Sequence, residues 1–185
     1  KLRNFQAAQQ VYDATVIFCG RFVDKRSRTR DQMIQAARSG VQNIAEGSMA
    51  SATSKETEIK LTNVARASLE ELLADYRDFL RVRGLEEWAK NHPYAKRLGE
   101  LVRTPNANYE TFRAGLEHAD PAIAANVIIG LIKVANCLLD RQIRHLEQAF
   151  VEEGGLRERM TKARLRQRAR QSATQGRNNP GNQKP

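Results

Sequence analysis

Apolar side chains return every three or four positions along four long segments of this chain, and that spacing draws one oily face on each of four helices. The first segment carries Phe5, Ala8, Val11, Tyr12, Thr15, Phe18, Cys19 and Phe22 and predicts a helix over residues 5–24. The second opens near Thr29, where Thr29 and Gln32 fit a capping box, and presents Met33, Ala37, Val41, Ile44 and Ala45. Gly40 sits mid-helix, where glycine costs about 1 kcal/mol against alanine, so a neighbouring helix is expected to come close there. Gly47 reads as the terminator. After a small-residue loop at 48–53, a Thr53/Glu56 capping box starts the third helix. Leu61, Val64, Ala65, Leu69, Leu72, Leu73, Tyr76, Phe79 and Leu80 carry its stripe toward Arg83, and Gly84 closes it in the left-handed conformation. The fourth opens at Asp120-Pro121, a capping carboxylate followed by proline at the first helical position. Its face continues from Val127 to Phe150, and Gly154-Gly155 ends it.

These four segments predict an all-α chain, an antiparallel four-helix bundle over residues 1–155. Residues 85–119 read as an insertion of short helices between the third and fourth, broken at His92-Pro93 and Thr104-Pro105. Trp88, Tyr94, Leu98, Leu101, Tyr109, Phe112 and Leu116 are expected to dock it. The adjacent pairs Phe18/Cys19, Leu72/Leu73 and Leu138/Leu139 widen the stripes, to serve either a second contact within the fold or a neighbouring subunit. The most apolar stretch, 123–139, is interrupted by Asn126, Lys133 and Asn136, so no membrane-spanning segment is expected. The N-terminus shows no apolar signal core. Cys19 and Cys137 sit among apolar neighbours and read as two buried thiols of a reducing cytosol, with a disulfide between them as the lesser alternative, so a cytoplasmic protein is expected.

Where the charge lies says more than how much there is. The chain carries a net +10, yet residues 156–185 hold nine Lys or Arg against one acid, a net +8, leaving +2 for residues 1–155. Segregated charge of this kind marks an interaction arm, or else a solubilising tail. Residues 156–171 suit a basic helix, and 172–185 are too polar and too rich in glycine and asparagine to order themselves. As a helix, Arg157, Arg164 and Arg168 share one side, while Arg159, Lys162, Arg166 and Arg170 spread around it. Leu156, Met160 and Ala163 leave an apolar stripe too thin for a membrane surface. Arginine's planar fork matches phosphate, and no aromatic residue accompanies the arm to stack on bases. The arm is therefore expected to grip the phosphate backbone of RNA or DNA and to read little sequence. A second basic cluster, Lys25, Arg26, Arg28 and Arg30, continues that track or is a solvated turn.

Nothing in the sequence assembles a catalytic site. His92, His118 and His145 stand far apart, with no carboxylate or cysteine at ligand spacing, so neither a metal nor a cofactor is expected. A nucleophile elbow, a phosphate-binding glycine loop and a dinucleotide fingerprint are missing. Glu70-Glu71, Glu86-Glu87 and Glu152-Glu153 read as solvated surface. A non-enzymatic protein is expected.

The segment Ser39-Gly-Val-Gln-Asn-Ile-Ala-Glu-Gly47 resembles the signature of a small bacterial four-helix-bundle family, first noted in proteins encoded by ribosomal-RNA intervening sequences. Ser39, Asn43, Ile44, Ala45, Glu46 and Gly47 carry the match. Ala65-Arg-Ala-Ser-Leu-Glu-Glu-Leu72 is similar to the family's third-helix motif. Residues 5–83 resemble the family well and 121–150 by position, whereas 85–119 and the segment after Glu153 depart from its short members and look like a variant with an extra suffix region. The resemblance implies a non-enzymatic homopentamer. One relative, the accessory variability protein of diversity-generating retroelements, binds nucleic acid and a reverse transcriptase. The expected function is thus an oligomeric accessory protein binding RNA or DNA and assisting a reverse transcriptase; the alternative is a protein-binding scaffold whose arm docks an acidic partner. Asn43 and Glu46, three apart, are expected to hydrogen-bond neighbouring helices or subunits.

Overall fold

A computed structural model describes residues 2–177. Among the described residues the fold is entirely helical: α1 Leu2–Phe22, α2 Arg28–Ala50, α3 Lys55–Val82, α4 Pro93–Arg103, α5 Tyr109–Leu116, α6 Pro121–Glu153 and α7 Leu156–Arg177. α1 packs on α2, α2 on α3, α3 on α6, and α6 returns to α1. Side-chain bonds fix the directions. Asn4 donates to the Leu138 carbonyl at one end of α1, and Arg21 donates to the Glu117 carbonyl at the other (2.7 Å). Arg66 pairs with Asp140 (3.5 Å) and Asn136 donates to Glu70 (2.8 Å), while Asn126 holds the backbone just beyond α3. α6 therefore runs antiparallel to both α1 and α3.

The core is aliphatic, with one aromatic knot. The Phe18 ring meets Tyr76 and Phe79 edge-on, at 5.0 and 4.8 Å between centroids. Tyr76 is fully buried and its hydroxyl donates to Thr15 Oγ1 (3.1 Å), which itself donates to the Val11 carbonyl (2.7 Å). Burial pushes the Tyr76 phenol well above its ordinary range, so this side chain stays neutral.

Helix ends depart from the sequence reading where backbone geometry chose a different residue. Ser27, not Thr29, is the N-cap of α2, and it makes no side-chain cap. Ser54, not Thr53, caps α3, accepting the Thr57 amide (3.1 Å); Thr53 instead donates its hydroxyl back to the Ala50 carbonyl (3.1 Å). α1 stops at Phe22, and Asp24 accepts the Arg26 amide (2.8 Å) in the turn beyond. Gly47 does not terminate α2. The helix continues to Ala50, because Gly47 is buried with ordinary helical φ and serves close approach instead of a left-handed stop. Gly84 does adopt φ 65°, and the Leu85 and Gly84 amides return to the Leu80 and Arg81 carbonyls (2.9 and 3.1 Å), a Schellman closure.

The insertion docks mainly on α6. Leu98, Phe112 and Leu116 are buried, whereas Tyr94, expected to dock, is 57 % exposed. A Cβ on Gly115 would stand 2.9 Å from Val127, and one on Gly130 would collide with Leu98, so both glycines are seats for a neighbouring side chain. Asn126, which interrupts the apolar stretch in sequence, is buried: its amide donates to the Glu86 and Ala122 carbonyls (2.9 Å each) and its oxygen accepts the Trp88 amide (2.7 Å). By length and composition alone, α6 contains an 18-residue window apolar enough to cross a membrane, a property that buried core helices share. Its apolar surface is broad because α1, α3, α4 and α5 all pack on it, and 61 % of that window is buried within the protein. The thiols also divide: Cys19 is buried, and desolvation raises its pKa to about 11, while Cys137 is exposed on α6.

Candidate nucleic-acid interface

α7 follows α6 across two glycines. Gly154 is buried with φ 75°, and the Gly155 amide donates to Glu158 Oε2 (3.3 Å), so this one acid of the arm satisfies an exposed donor at the start of α7. The helix extends through Arg177, past the expected end of the arm at 171; residues 172–177 are helical where the sequence suggests disorder, and 178–185 lie outside the described residues. Side chains from Glu158 to Gln171 are all exposed, so Arg159, Lys162, Arg164, Arg166, Arg168 and Arg170 present their charge to solvent; the Arg157 side chain lies outside the described ones. At about 100° per residue, Arg159, Lys162, Arg166 and Arg170 fall within one arc, and Arg164 and Arg168 lie opposite. They form a row and do not spread around the helix. Met160 and Leu165 are exposed between the rows, at 51 % and 58 %.

Lys25, Arg26 and Arg28 are exposed at the α1–α2 turn, and Arg30 is half-buried with its guanidinium 3.6 Å from Asp31. This turn sits at the opposite end of the helical body from the start of α7. The antiparallel order puts the α1–α2 turn beside the end of α3 and the start of α6, whereas α7 leaves from the end of α6. The 23 residues of α2 alone span roughly 35 Å. The two basic clusters thus do not form one continuous track.

The motif residues do meet. Ser39 Oγ lies 3.0 Å from Ser68 Oγ, and Asn43 donates to the Ser39 carbonyl and hydroxyl (2.9 and 3.1 Å). A Cβ on Gly40 would stand 2.9 Å from Leu69 Cδ2, and one on Gly47 3.3 Å from Leu61 Cβ. The segment 39–47 therefore lies along 58–69 across the α2–α3 seam, and its Ser39-Gly40 end meets the 65–72 motif at Ser68 and Leu69. Asn43 bonds to Ser39 of its own helix, and Glu46 is exposed.

Compared with family models, curated proteins and solved structures, the chain matches none. Among the described residues no group of three or more His, Cys, Asp and Glu side chains comes together. His92 and His118 each use Nδ1 locally, accepting the Tyr94 and Asp120 amides (3.3 and 3.0 Å), and His145 is exposed. Glu87 is clamped by Lys133 (2.6 Å) and Arg77 (2.9 Å); burial would raise its pKa, but these partners outweigh burial and hold it below the ordinary range. A cleft of about 510 Å³ opens between α1, α6 and residues 102–107, with Phe112, Leu131 and Leu138 in its wall and Arg3 and Arg103 at its edge. The sequence reading missed this cleft, because its walls come from four separate segments.

Proposed function

We propose that the protein is a non-enzymatic nucleic-acid-binding accessory factor, a four-helix bundle that carries α7 as its phosphate-gripping arm. The observation that carries this reading is α7 itself: six exposed basic side chains between Arg159 and Arg170, on a chain whose first 155 residues carry only +2. Side chains placed on backbone phosphates confer affinity without a base code. The similarity of segments 39–47 and 65–72 to the intervening-sequence-encoded family supports a homopentamer working beside a reverse transcriptase. In such a ring the arms would be repeated, and multivalency turns weak contacts into tight binding. Light scattering of a pentamer should give about five times 20.9 kDa.

The test is deletion of residues 156–185. The α1–α6 body is expected to keep its circular dichroism and melting. Binding of labelled RNA and DNA of unrelated sequence should collapse, and full-length binding should weaken steeply with salt. Equal binding by the shortened chain would move the interface to Lys25–Arg30. Absence of binding by both would leave a scaffold whose arm docks an acidic protein.

A further inference from the structure

Three aromatic rings gather where α3 hands over to α4, outside the core. The Trp88 and His92 rings lie nearly parallel, 6° apart with centroids at 5.1 Å. Tyr94 stands 5.3 Å from Trp88 and 5.5 Å from His92. Hydrogen bonds to the backbone anchor these residues. The Trp88 amide is bound by the buried Asn126, and His92 is fixed as the N-cap of α4 by accepting the Tyr94 amide. Trp88 packs partly on the core, but Tyr94 is 57 % exposed and contributes little to it. A cluster with one ring in solvent has more aromatic surface than docking α4 requires.

The surrounding charge suits a polyanion. Lys90, Lys96 and Arg97 are exposed on the same short stretch. Arg97 pairs with Glu100 (3.1 Å), Glu86 is exposed, and Glu87 is neutralised by Arg77 and Lys133, so the cations of the site outnumber its acids. Aromatic faces beside cations are what unpaired nucleobases use, the ring stacking on the base and the cation meeting the phosphate.

We infer that Trp88, His92 and Tyr94 form a stacking platform for unpaired nucleobases, a second contact for the nucleic acid that α7 holds by its phosphates. The inference rests on the proposed function. The platform sits near Asn126 and α7 begins beyond Glu153, about 40 Å away along α6, so one strand would be gripped at one end of the protein and stacked at the other.

Trp88 is the chain's one tryptophan, so its emission reports on this site alone. Full-length protein is titrated with a single-stranded RNA, a single-stranded DNA, a duplex and inorganic polyphosphate. Binding is followed by anisotropy or competition, and Trp88 by fluorescence. Both single strands should quench Trp88, because every base has a π-face. Duplex and polyphosphate should bind through the arm and leave the emission unchanged. Tyr94→Ala, at an exposed position, should weaken single-strand binding by roughly 5- to 150-fold per stacked base without altering polyphosphate binding; Tyr94→Phe should retain it. Single-strand binding with unchanged Trp88 emission and full affinity in Tyr94→Ala overturns the platform and leaves the arm standing. No binding of any polyanion in the anisotropy arm overturns the proposed function and the platform with it.

Discussion

Two helices of nearly equal length, α2 with 23 residues and α7 with 22, sit in opposite environments. α2 puts Met33, Ala36, Ala37, Gly40, Val41, Ile44 and Gly47 out of water, and its two buried glycines let α3 approach until side chains meet backbone. α7 has no side to bury: every described side chain from Glu158 to Gln171 is exposed. α2 owes its position to packing, and position is what its sequence specifies. α7 is held as a helix by local propensity and its Glu158 cap, and what its sequence specifies is charge. Damage to the first should therefore appear as lost stability, and damage to the second as lost binding.

The sharpest way to break that contrast is to erase one row of the arm. Replacing Arg159, Lys162, Arg166 and Arg170 together by glutamine should cut nucleic-acid affinity at low salt by orders of magnitude. The slope of log affinity against log salt should become shallower by about 3, since each neutralised phosphate contributes about 0.7–0.9. Melting should stay within about 0.5 kcal/mol of the parent, as for other exposed sites. A large fall in melting temperature would show that the arm supports the body after all.

The converse experiment is Gly40→Leu or Gly47→Leu. Either places carbon inside a seam already at contact distance, and overpacking should cost roughly 1–3 kcal/mol in chemical denaturation. Gly47 should be the less forgiving, because its neighbours include the fixed Leu61 Cβ and the Glu58 carbonyl at 3.5 Å, whereas Gly40 faces the flexible end of Leu69. Intact affinity for nucleic acid in whatever remains folded would keep the two regions separate. Equal stability of both variants and parent would mean that the seam is loose.

The smallest effect concerns Glu87. Its folded-state pKa is lowered by Lys133 and Arg77, so its contribution to stability is present above the ordinary carboxylate range and is lost as pH falls through the lowered value. Glu87→Gln should flatten that part of the acid-stability curve by less than about 1 kcal/mol, as expected for a partly exposed ion pair. An unchanged curve would show that the clamp contributes nothing measurable.

The periodicity of apolar residues, the Asp120-Pro121 start, the left-handed Gly84 and the close approach at Gly40 were legible because each depends on chemistry local to the chain or on one face. Exposed charge on 156–171 was legible for the same reason. Helix caps at Ser27 and Ser54 were not, since neighbouring hydroxyl residues compete and backbone geometry chooses among them. Gly47 looks the same in sequence whether it stops a helix or lets another one near; only α3 lying against it decides. Asn126 reads as a flaw in an apolar run until the chain leaving α3 supplies the amide and carbonyl it binds. Trp88 and Tyr94 read as one docking set, and the fold half-buries one while leaving the other in water. The Lys25–Arg30 cluster reads in sequence either as a continuation of the arm's track or as a solvated turn, and the antiparallel order sends it to the opposite end from the arm. Local sequence determined which segments are helices and which carry charge, because propensity, periodicity and ionisation act over a few residues. Tertiary structure alone decided which groups face one another, because that depends on residues tens of positions apart meeting in space.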